Sequence, residues 1–364
     1  MRQTVVLEEY AKARSRRIGF FKKYGVTLLF LLPFLTAFIV FFVYPLIYGF
    51  YISMTNFKYG LPGQETFNNF DWYKILFGLN DQLSGSLAPA TADKITTNFW
   101  NAFKNSFVFS VIMVPVAILL PLTLAILVNK KPAGFKLFRS LIYLPSIVPL
   151  TCAGSIFMLL FMAPQQHGLI AELFGCKIDW FIDIWFEFDL FGEHVQVVYA
   201  WIPIFFMCLW GGWGGNFIIL NAGLENVPKS LYEASSIDGC SSFKKILYVT
   251  IPGIKGQLVL CLFTTIIGYL GLYGQNYVLT AGGPYATPLP ASGKTATVMY
   301  FIQDIVANSP NMKTAVYGLG AAASLVFALF VGIISGIQMY ITRDKKTGTK
   351  ISKRYDLWQE AKLH

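Results

Sequence analysis

Six long stretches of this sequence contain no Asp, Glu, Lys or Arg, and each is long enough to cross a lipid bilayer. A helix needs about 20 predominantly apolar residues to cross the hydrocarbon core. Only 13% of the residues are charged, against about 25% in an ordinary soluble domain. We therefore predict an all-α membrane protein with six transmembrane helices. The predicted spans are residues 26–50, 106–128, 141–162, 195–220, 258–279 and 316–341.

The distribution of Lys and Arg predicts the orientation of these spans. An even number of spans places both termini on one side, and cytoplasmic segments carry an excess of Lys and Arg. If the termini are cytoplasmic, the cytoplasmic segments hold 22 of the 29 Lys and Arg. We therefore predict cytoplasmic termini, and we attribute the net charge of +10 to topology and anionic lipid headgroups rather than to nucleic acid. The predicted cytoplasmic segments are the basic N-terminal segment 1–25, 129–140, 221–257 and the basic tail 342–364.

Aromatic residues and cysteines are interpreted as structural at this stage. Tyr and Trp residues near span ends, Tyr277 among them, are typical of interfacial anchors. The five cysteines are odd in number and form no CxxC motif, so we predict small buried apolar residues rather than disulfides or metal ligands. We expect no metal site and no cofactor bound by this chain. The cysteines are Cys152, Cys176, Cys208, Cys240 and Cys261.

The predicted spans contain no ionisable Asp, Glu, Lys, Arg or His side chain. Carriers driven by protons or ions usually need such a group at membrane depth, and many ion channels need charged rings. A neutral solute that forms hydrogen bonds fits this sequence better. The chain also lacks a phosphate-binding loop, because Gly293-Lys294-Thr295 has Pro288 where the first glycine of the motif belongs. Energy for uphill transport must then come from a separate ATPase subunit.

The cytoplasmic loop 221–257 has the pattern of two short helices joined by a sharp turn. Pro228 suits the first turn of a helix, and Gly239 suits a left-handed helix stop. Between them an apolar edge recurs every three residues, and a second helix is expected from about Ser241. The residues of the apolar edge are Leu231, Ala234 and Ile237.

This loop resembles the EAA motif of the ABC-importer permease family, the inner-membrane component of binding-protein-dependent transport systems. The family pattern is Glu-Ala-Ala, three residues, Gly, nine residues, Ile, one residue, Leu-Pro. The chain has Glu233-Ala-Ser235, Gly239, Val249 and Ile251-Pro252 with the spacing intact. Three positions depart conservatively from the pattern: Ser235, Val249 and Ile251. The resemblance implies a type I ABC importer permease fold over residues 26–341, in a bacterial plasma membrane.

The resemblance also implies partners and a role for the loop. In this family the loop docks into a cleft of the ATPase subunit, which uses ATP and Mg. Carried over by motif position, the docking residues are Glu233, Ala234 and Gly239, with Leu231 and Ile237 packing beside them. A second related permease subunit is expected, because six helices enclose only half a pathway. Two ATPase subunits and an extracellular solute-binding protein complete the expected assembly.

Further motifs resemble the oligosaccharide branch of the family, and the maltose-type subunit in particular. They include Phe138-Arg-Ser-Leu-Ile-Tyr-Leu-Pro145 and Thr280-Ala-Gly-Gly-Pro284. The stretch Trp210-Gly-Gly-Trp-Gly-Gly-Asn216 has two open readings: close helix packing, or a cavity where a sugar stacks on tryptophan. By register, the resemblance places sugar contacts on the fourth and fifth spans. The candidate path residues are Trp210, Gly211, Gly212, Trp213, Gly215, Thr265, Gly268, Tyr269 and Leu272.

The resulting hypothesis is a permease subunit that imports a sugar or oligosaccharide and is not itself an enzyme. Tyr269 and Leu272 stand where the family has asparagines, which predicts a substrate other than maltose. A secondary transporter and a membrane scaffold protein remain as alternatives. A glycerol phosphate-type solute is the alternative substrate, although the spans offer no basic residue to meet its phosphate.

Overall fold

The computed structural model of the protein describes residues 25–27, 29–57, 63, 65–80, 83, 88–190, 193–284, 293–307 and 316–342. The predicted terminal segments 1–25 and 342–364 lie almost entirely outside the described residues. The elements in chain order are α1 (Gly25–Ser53), α2 (Asp71–Leu76), α3 (Pro89–Asn129), α4 (Phe135–Ile147), α5 (Leu150–Leu160), α6 (Leu169–Phe174), β1 (Ile184–Leu190), β2 (Glu193–Val198), α7 (Trp201–Glu225), α8 (Lys229–Ile237), α9 (Ser242–Gly253), α10 (Lys255–Leu270), α11 (Gly274–Thr280), α12 (Val298–Ala307) and α13 (Val316–Thr342).

Four helices are long and apolar enough to cross a membrane by themselves: α1, α3, α7 and most of α13. Two further candidates are bent pairs, α4 with α5 at 93° and α9 with α10 at 76°. The described part of the chain therefore holds four to six candidate spans. The first break lies inside the third predicted span, 141–162, and the second lies at Ile254, before the fifth predicted span, 258–279.

Proline accounts for the bend between α4 and α5, and a side-chain hydrogen bond lies where the fifth predicted span ends early. Val148 has extended backbone (ψ 127°) because Pro149 follows it, and the proline supplies no N–H to continue α4. The fifth predicted span stops at Leu270 instead of continuing to residue 279. There the carbonyl of Leu272 accepts a hydrogen bond from Thr297 Oγ1 at 2.6 Å, and α11 begins only at Gly274.

The segment between α6 and α7 differs from the prediction because it forms a β-hairpin. Strands β1 and β2 pair antiparallel, with a register irregularity between Ile184 and Phe186. Residues 195–198 belong to β2, so the fourth helix begins at Trp201 rather than at residue 195. The fold is mostly helical rather than all-α. Polar and apolar residues alternate over 194–197, a strand pattern that the uncharged run from residue 195 concealed.

Helix α3 is the central element of the bundle and joins three buried clusters. Its N-terminal part packs with α2, α12 and α13, around the fully buried Trp72, Phe99 and Phe301. Its middle, at Phe109 and Met113, packs with α5 and α7. Its C-terminal part packs with the end of α7 and the start of α10. This arrangement holds α7 and α10 side by side against the long helix α3.

Candidate functional site

The predicted loop forms the expected short helix, sharp turn and second helix. Pro228 is the extended N-cap of α8 (ψ 130°), and Gly239 follows the helix with φ +72°. The turn is closed by two backbone hydrogen bonds, from Gly239 N to Ser236 O at 3.2 Å and from Cys240 N to Ser235 O at 3.0 Å. Because L-residues rarely adopt this φ, glycine suits the position. Helix α9 begins at Ser242, with the Ser241 hydroxyl as its cap.

Polar contacts fix one side of α8 against α9. The Tyr232 hydroxyl lies 3.1 Å from Thr250 Oγ1. Ser235 is buried, and its hydroxyl donates to Tyr232 O at 2.8 Å. Lys245 Nζ donates to Ser236 Oγ at 2.7 Å. These groups prevent α8 from moving independently of the helix that leads into α10. The sequence analysis did not identify Tyr232 or Thr250, although Tyr232 lies directly before the Glu233 of the motif.

The predicted coupling residues lie on the other, exposed side of α8. Leu231 is 50% exposed and Ile237 is 87% exposed. Glu233, Ala234 and Gly239 are also exposed. The structure brings all five into one short segment with an uncovered apolar edge beside a carboxylate. Such a surface can receive a partner's cleft, and the anchored side can transmit a displacement.

The base of this segment is tied to the bundle at two points. Arg139 of α4 forms an ion pair with Glu225 at the end of α7, at 2.6 Å. Gly253 lies so close to Val227 that a Cβ there would come within 2.9 Å of its side chain. The loop is therefore mechanically continuous with α4, α7 and α10.

The glycines of α7 divide between the two readings left open above. A Cβ at Gly214 would overlap the Ser146 hydroxyl on α4, so this glycine permits close helix packing. A Cβ at Gly211 or Gly215 would find no atom within 4 Å among the described residues. Those two glycines leave one stripe of α7 open, and no packing partner in the described chain explains them.

The open stripe continues onto α10. Gly268 is exposed, and a Cβ built there also meets nothing within 4 Å in the part of the chain described. Thr264, one turn earlier, is exposed on the same side, and its hydroxyl donates to Leu260 O at 2.8 Å. We call these four residues, Gly211, Gly215, Thr264 and Gly268, the open strip. Sequence register predicts Thr265 as a sugar contact, whereas the exposed hydroxyl on this side of α10 belongs to its neighbour Thr264.

Thr265 and Tyr269 instead join α10 to α7. Asn216 Nδ2 donates to Thr265 Oγ1 at 3.0 Å and to Ala117 O at 2.9 Å. The Tyr269 hydroxyl donates to Cys208 O at 3.5 Å, and it lies 2.9 Å from where a Cβ on Gly212 would be. Both residues border the open strip while being partly buried. Asn216, the last residue of the glycine motif, is the polar link that sequence reasoning left without a role.

The remaining predicted path residues with side chains are partly or fully buried. The Trp210 ring packs on Phe157 at 5.9 Å between centroids. The Trp213 indole N–H is buried with no hydrogen-bond partner among the residues described. Leu272 is only 3% exposed, within the cluster that contains Phe109 and Met207. The assignment of these three residues to the sugar path stays a prediction.

The prediction that the cysteines are buried holds for two of the five. Cys208 and Cys261 are buried, whereas Cys152 is exposed and Cys176 and Cys240 are partly exposed. Cys152 lies on α5, where a small apolar side chain can face lipid as readily as protein. All five are free thiols.

Comparison with known proteins identifies related chains over most of this sequence. A family model described as "Binding-protein-dependent transport system inner membrane component" matches residues 117–347. The arabinooligosaccharides transport system permease protein AraP of Bacillus subtilis is 29% identical over 333 residues, which cover 91% of this chain and 93% of AraP. The lactose transport system permease protein LacF of Rhizobium radiobacter is 29% identical over 252 residues, which cover 68% and 77%.

The fold is also found in a solved structure. A chain of a bacterial ABC transporter involved in the import of the acidic polysaccharide alginate matches with a TM-score of 0.61. The match covers 90% of this chain and 98% of that chain at 18% identity. At this identity the likeness establishes the fold alone.

Proposed function

Because the chain belongs to the binding-protein-dependent transport system inner membrane component family, we propose that it imports a neutral oligosaccharide along the open strip. The chain is a multi-pass permease subunit of an ABC importer in the plasma membrane. Relatives named for arabinooligosaccharide and lactose transport support a saccharide substrate. In this proposal, the sugar passes between this chain and a second, related permease subunit.

The observation that carries this proposal is the chemistry of the open strip. It consists of backbone and a hydroxyl, and the helices that form it contain no ionisable residue along the strip. Exposed glycines bring backbone carbonyls within reach of sugar hydroxyls, and Thr264 can donate and accept. A phosphate or carboxylate substrate would leave its charge unpaired here, which is costly at membrane depth.

Unburied apolar surface supports the second permease subunit. In the most apolar window of α1, no residue is buried within the chain. The open strip is likewise uncovered by the described residues. A pathway for a polar solute needs a wall on each side, and one copy of the strip supplies one wall.

The exposed side of α8 supports docking of an ATPase subunit. Glu233, Ala234 and Gly239, with Leu231 and Ile237 beside them, provide the docking surface in this proposal. Anchoring through Tyr232 and Thr250 lets a displacement of α8 reach α10 and thereby the strip. ATP and Mg are used by the ATPase subunits, and we assign no catalytic residue to this chain. The solute-binding protein delivers the sugar from outside.

The test is reconstitution of the complete transporter, purified from its native membrane, into proteoliposomes. We expect ATP-dependent uptake of at least one of arabinotriose, lactose and maltotriose, requiring the binding protein. Gly215→Leu should reduce that uptake strongly, since its side chain enters the strip, while Leu329→Ala on the exposed side of α13 should not. Uptake driven by a proton gradient without ATP, or uptake of glycerol 3-phosphate alone, would overturn the proposal.

A further inference from the structure

Four side chains outside the open strip form a polar aromatic cluster after the end of α10. Tyr273 and Tyr277 belong to α11 and its N-cap, and Tyr300 and Asp304 belong to α12. We propose that this external cluster is a second saccharide-binding subsite, which receives a sugar ring before it reaches the open strip. The inference rests on the proposed function for the class of substrate, and it adds a site that the strip does not include.

The two tyrosines of α11 form a stacked pair that faces outward. Their ring centroids lie 5.5 Å apart with 27° between the ring planes. Positions four apart share one side of a helix, and Tyr277 is 48% exposed. A second side of α11 packs on α5, because Cβ atoms of Gly274 and Gly154 would overlap Leu150 and Val278 respectively.

A buried polar knot fixes the third side of α11. Asn276 is fully buried, and its Nδ2 donates to Thr295 O. Its Oδ1 accepts from Gly282 N at 3.2 Å and from Thr280 Oγ1 at 2.9 Å. A helix of seven residues has little stability of its own. The knot and the α5 contact hold this one in place, so the tyrosine pair is a rigid platform.

Tyr300 and Asp304 lie beside the platform on α12. Gly282 makes room for Tyr300, because a Cβ there would overlap its ring. Burial raises the pKa of Tyr300 to about 12, with smaller contributions from the charge of Asp304 and from the phenols of Tyr273 and Tyr277. Burial and then the charges of Tyr277 and Asp304 also raise the pKa of Tyr273. Asp304 follows Tyr300 by four residues, so the two share one side of α12. Both phenols remain neutral hydrogen-bond donors at pH 7.

This combination matches a saccharide better than a lipid headgroup. A sugar ring offers a C–H surface for an aromatic platform and hydroxyls for a carboxylate and phenols. Sequence analysis interpreted Tyr277 as an interfacial anchor, which needs only an amphipathic ring at the headgroup level. A carboxylate in the same cluster would repel anionic headgroups, whereas it can accept hydrogen bonds from sugar hydroxyls.

The test compares uptake by the wild-type reconstituted complex with uptake by variants of the exposed Tyr277 and the partly exposed Asp304. The probe is whichever of arabinotriose, lactose and maltotriose the wild-type complex imports. We expect Tyr277→Ala and Asp304→Asn to lower uptake at limiting sugar by about three- to tenfold, while Tyr277→Phe retains most of it. The matched control is Tyr44→Ala, which removes an exposed tyrosine from another stacked pair and should leave uptake unchanged.

A photoreactive diazirine derivative of the same sugar provides direct evidence of contact. Cross-linked peptides from residues 273–280 or 298–307 are expected in wild type and should be lost in Tyr277→Ala. Normal uptake by both cluster variants, or cross-links confined to other peptides, would overturn the subsite. If the wild-type complex imports none of the three sugars, the proposed function fails instead, so the two failures are distinguishable.

Discussion

At the scale of single residues, the glycines of α7 serve two different purposes. Gly214 lies against Ser146 and Tyr143 of α4, whereas Gly211 faces open space in the described structure. Glycine costs a soluble helix about 1 kcal/mol relative to alanine. At Gly214 this cost is offset by close packing, and at Gly211 nothing within the described chain offsets it. The loss of helix stability at Gly211 is explained if a substrate needs the space beside it.

Alanine substitution should separate these two purposes. Gly214→Ala places a methyl group on the Ser146 hydroxyl, so we expect it to destabilise the protein by about 1–3 kcal/mol. Gly211→Ala should leave stability unchanged or slightly increased. Thermal unfolding of the purified complex in detergent measures both. The double variant Gly214→Ala with Ser146→Ala should recover part of the loss, and equal melting temperatures for both single variants would contradict the assignment.

Gly239 gives a second prediction at the residue scale. Its φ of +72° costs an L-residue with a Cβ roughly 1–2 kcal/mol. We expect Gly239→Ala to weaken co-purification of the ATPase subunits by about an order of magnitude, because the turn that presents α8 becomes less populated. Gly239→Asn should be milder, since asparagine tolerates this conformation. Equal effects of alanine and asparagine would show that the turn geometry does not govern docking.

At the scale of elements, α11 depends on the buried knot around Asn276. Replacing Asn276 by leucine removes its side-chain partners from Thr295 O and Gly282 N, while Thr280 Oγ1 keeps Asn276 O and Thr295 Oγ1. Buried polar groups left unpaired cost about 1–3 kcal/mol each. We expect faster amide hydrogen exchange in residues 274–284 and 293–298.

Exchange in α8 provides the internal control for this substitution. Helix α8 is held by its own contacts with α9, so its protection should not change. Uniformly faster exchange along the whole chain would indicate global destabilisation, and unchanged exchange near α11 would show that the knot does not hold the helix.

At the scale of the whole molecule, the sequence predicted features that depend on local chemistry. The φ of Gly239 follows from a turn motif, and the apolar runs predict helices wherever they are uninterrupted. The break at Val148 follows from Pro149, a local signal within a long apolar run. The stop after Leu270 involves Thr297, which is distant in sequence. The outward position of Thr264 rather than Thr265 follows from helix rotation, which only packing against α7 determines.

The topology gives the last prediction, because two native cysteines lie on opposite predicted sides. Cys176 follows α6 in the predicted external segment, and Cys240 follows Gly239 in the predicted cytoplasmic loop. Both are partly exposed. In right-side-out vesicles, a membrane-impermeant maleimide should label a variant that retains only Cys176 and leave one that retains only Cys240 unlabelled. Inside-out vesicles should reverse the pattern, and detergent should expose both. Labelling of Cys240 from the outside would place α8 beyond the reach of any cytoplasmic ATPase, and the coupling surface would then need a different partner.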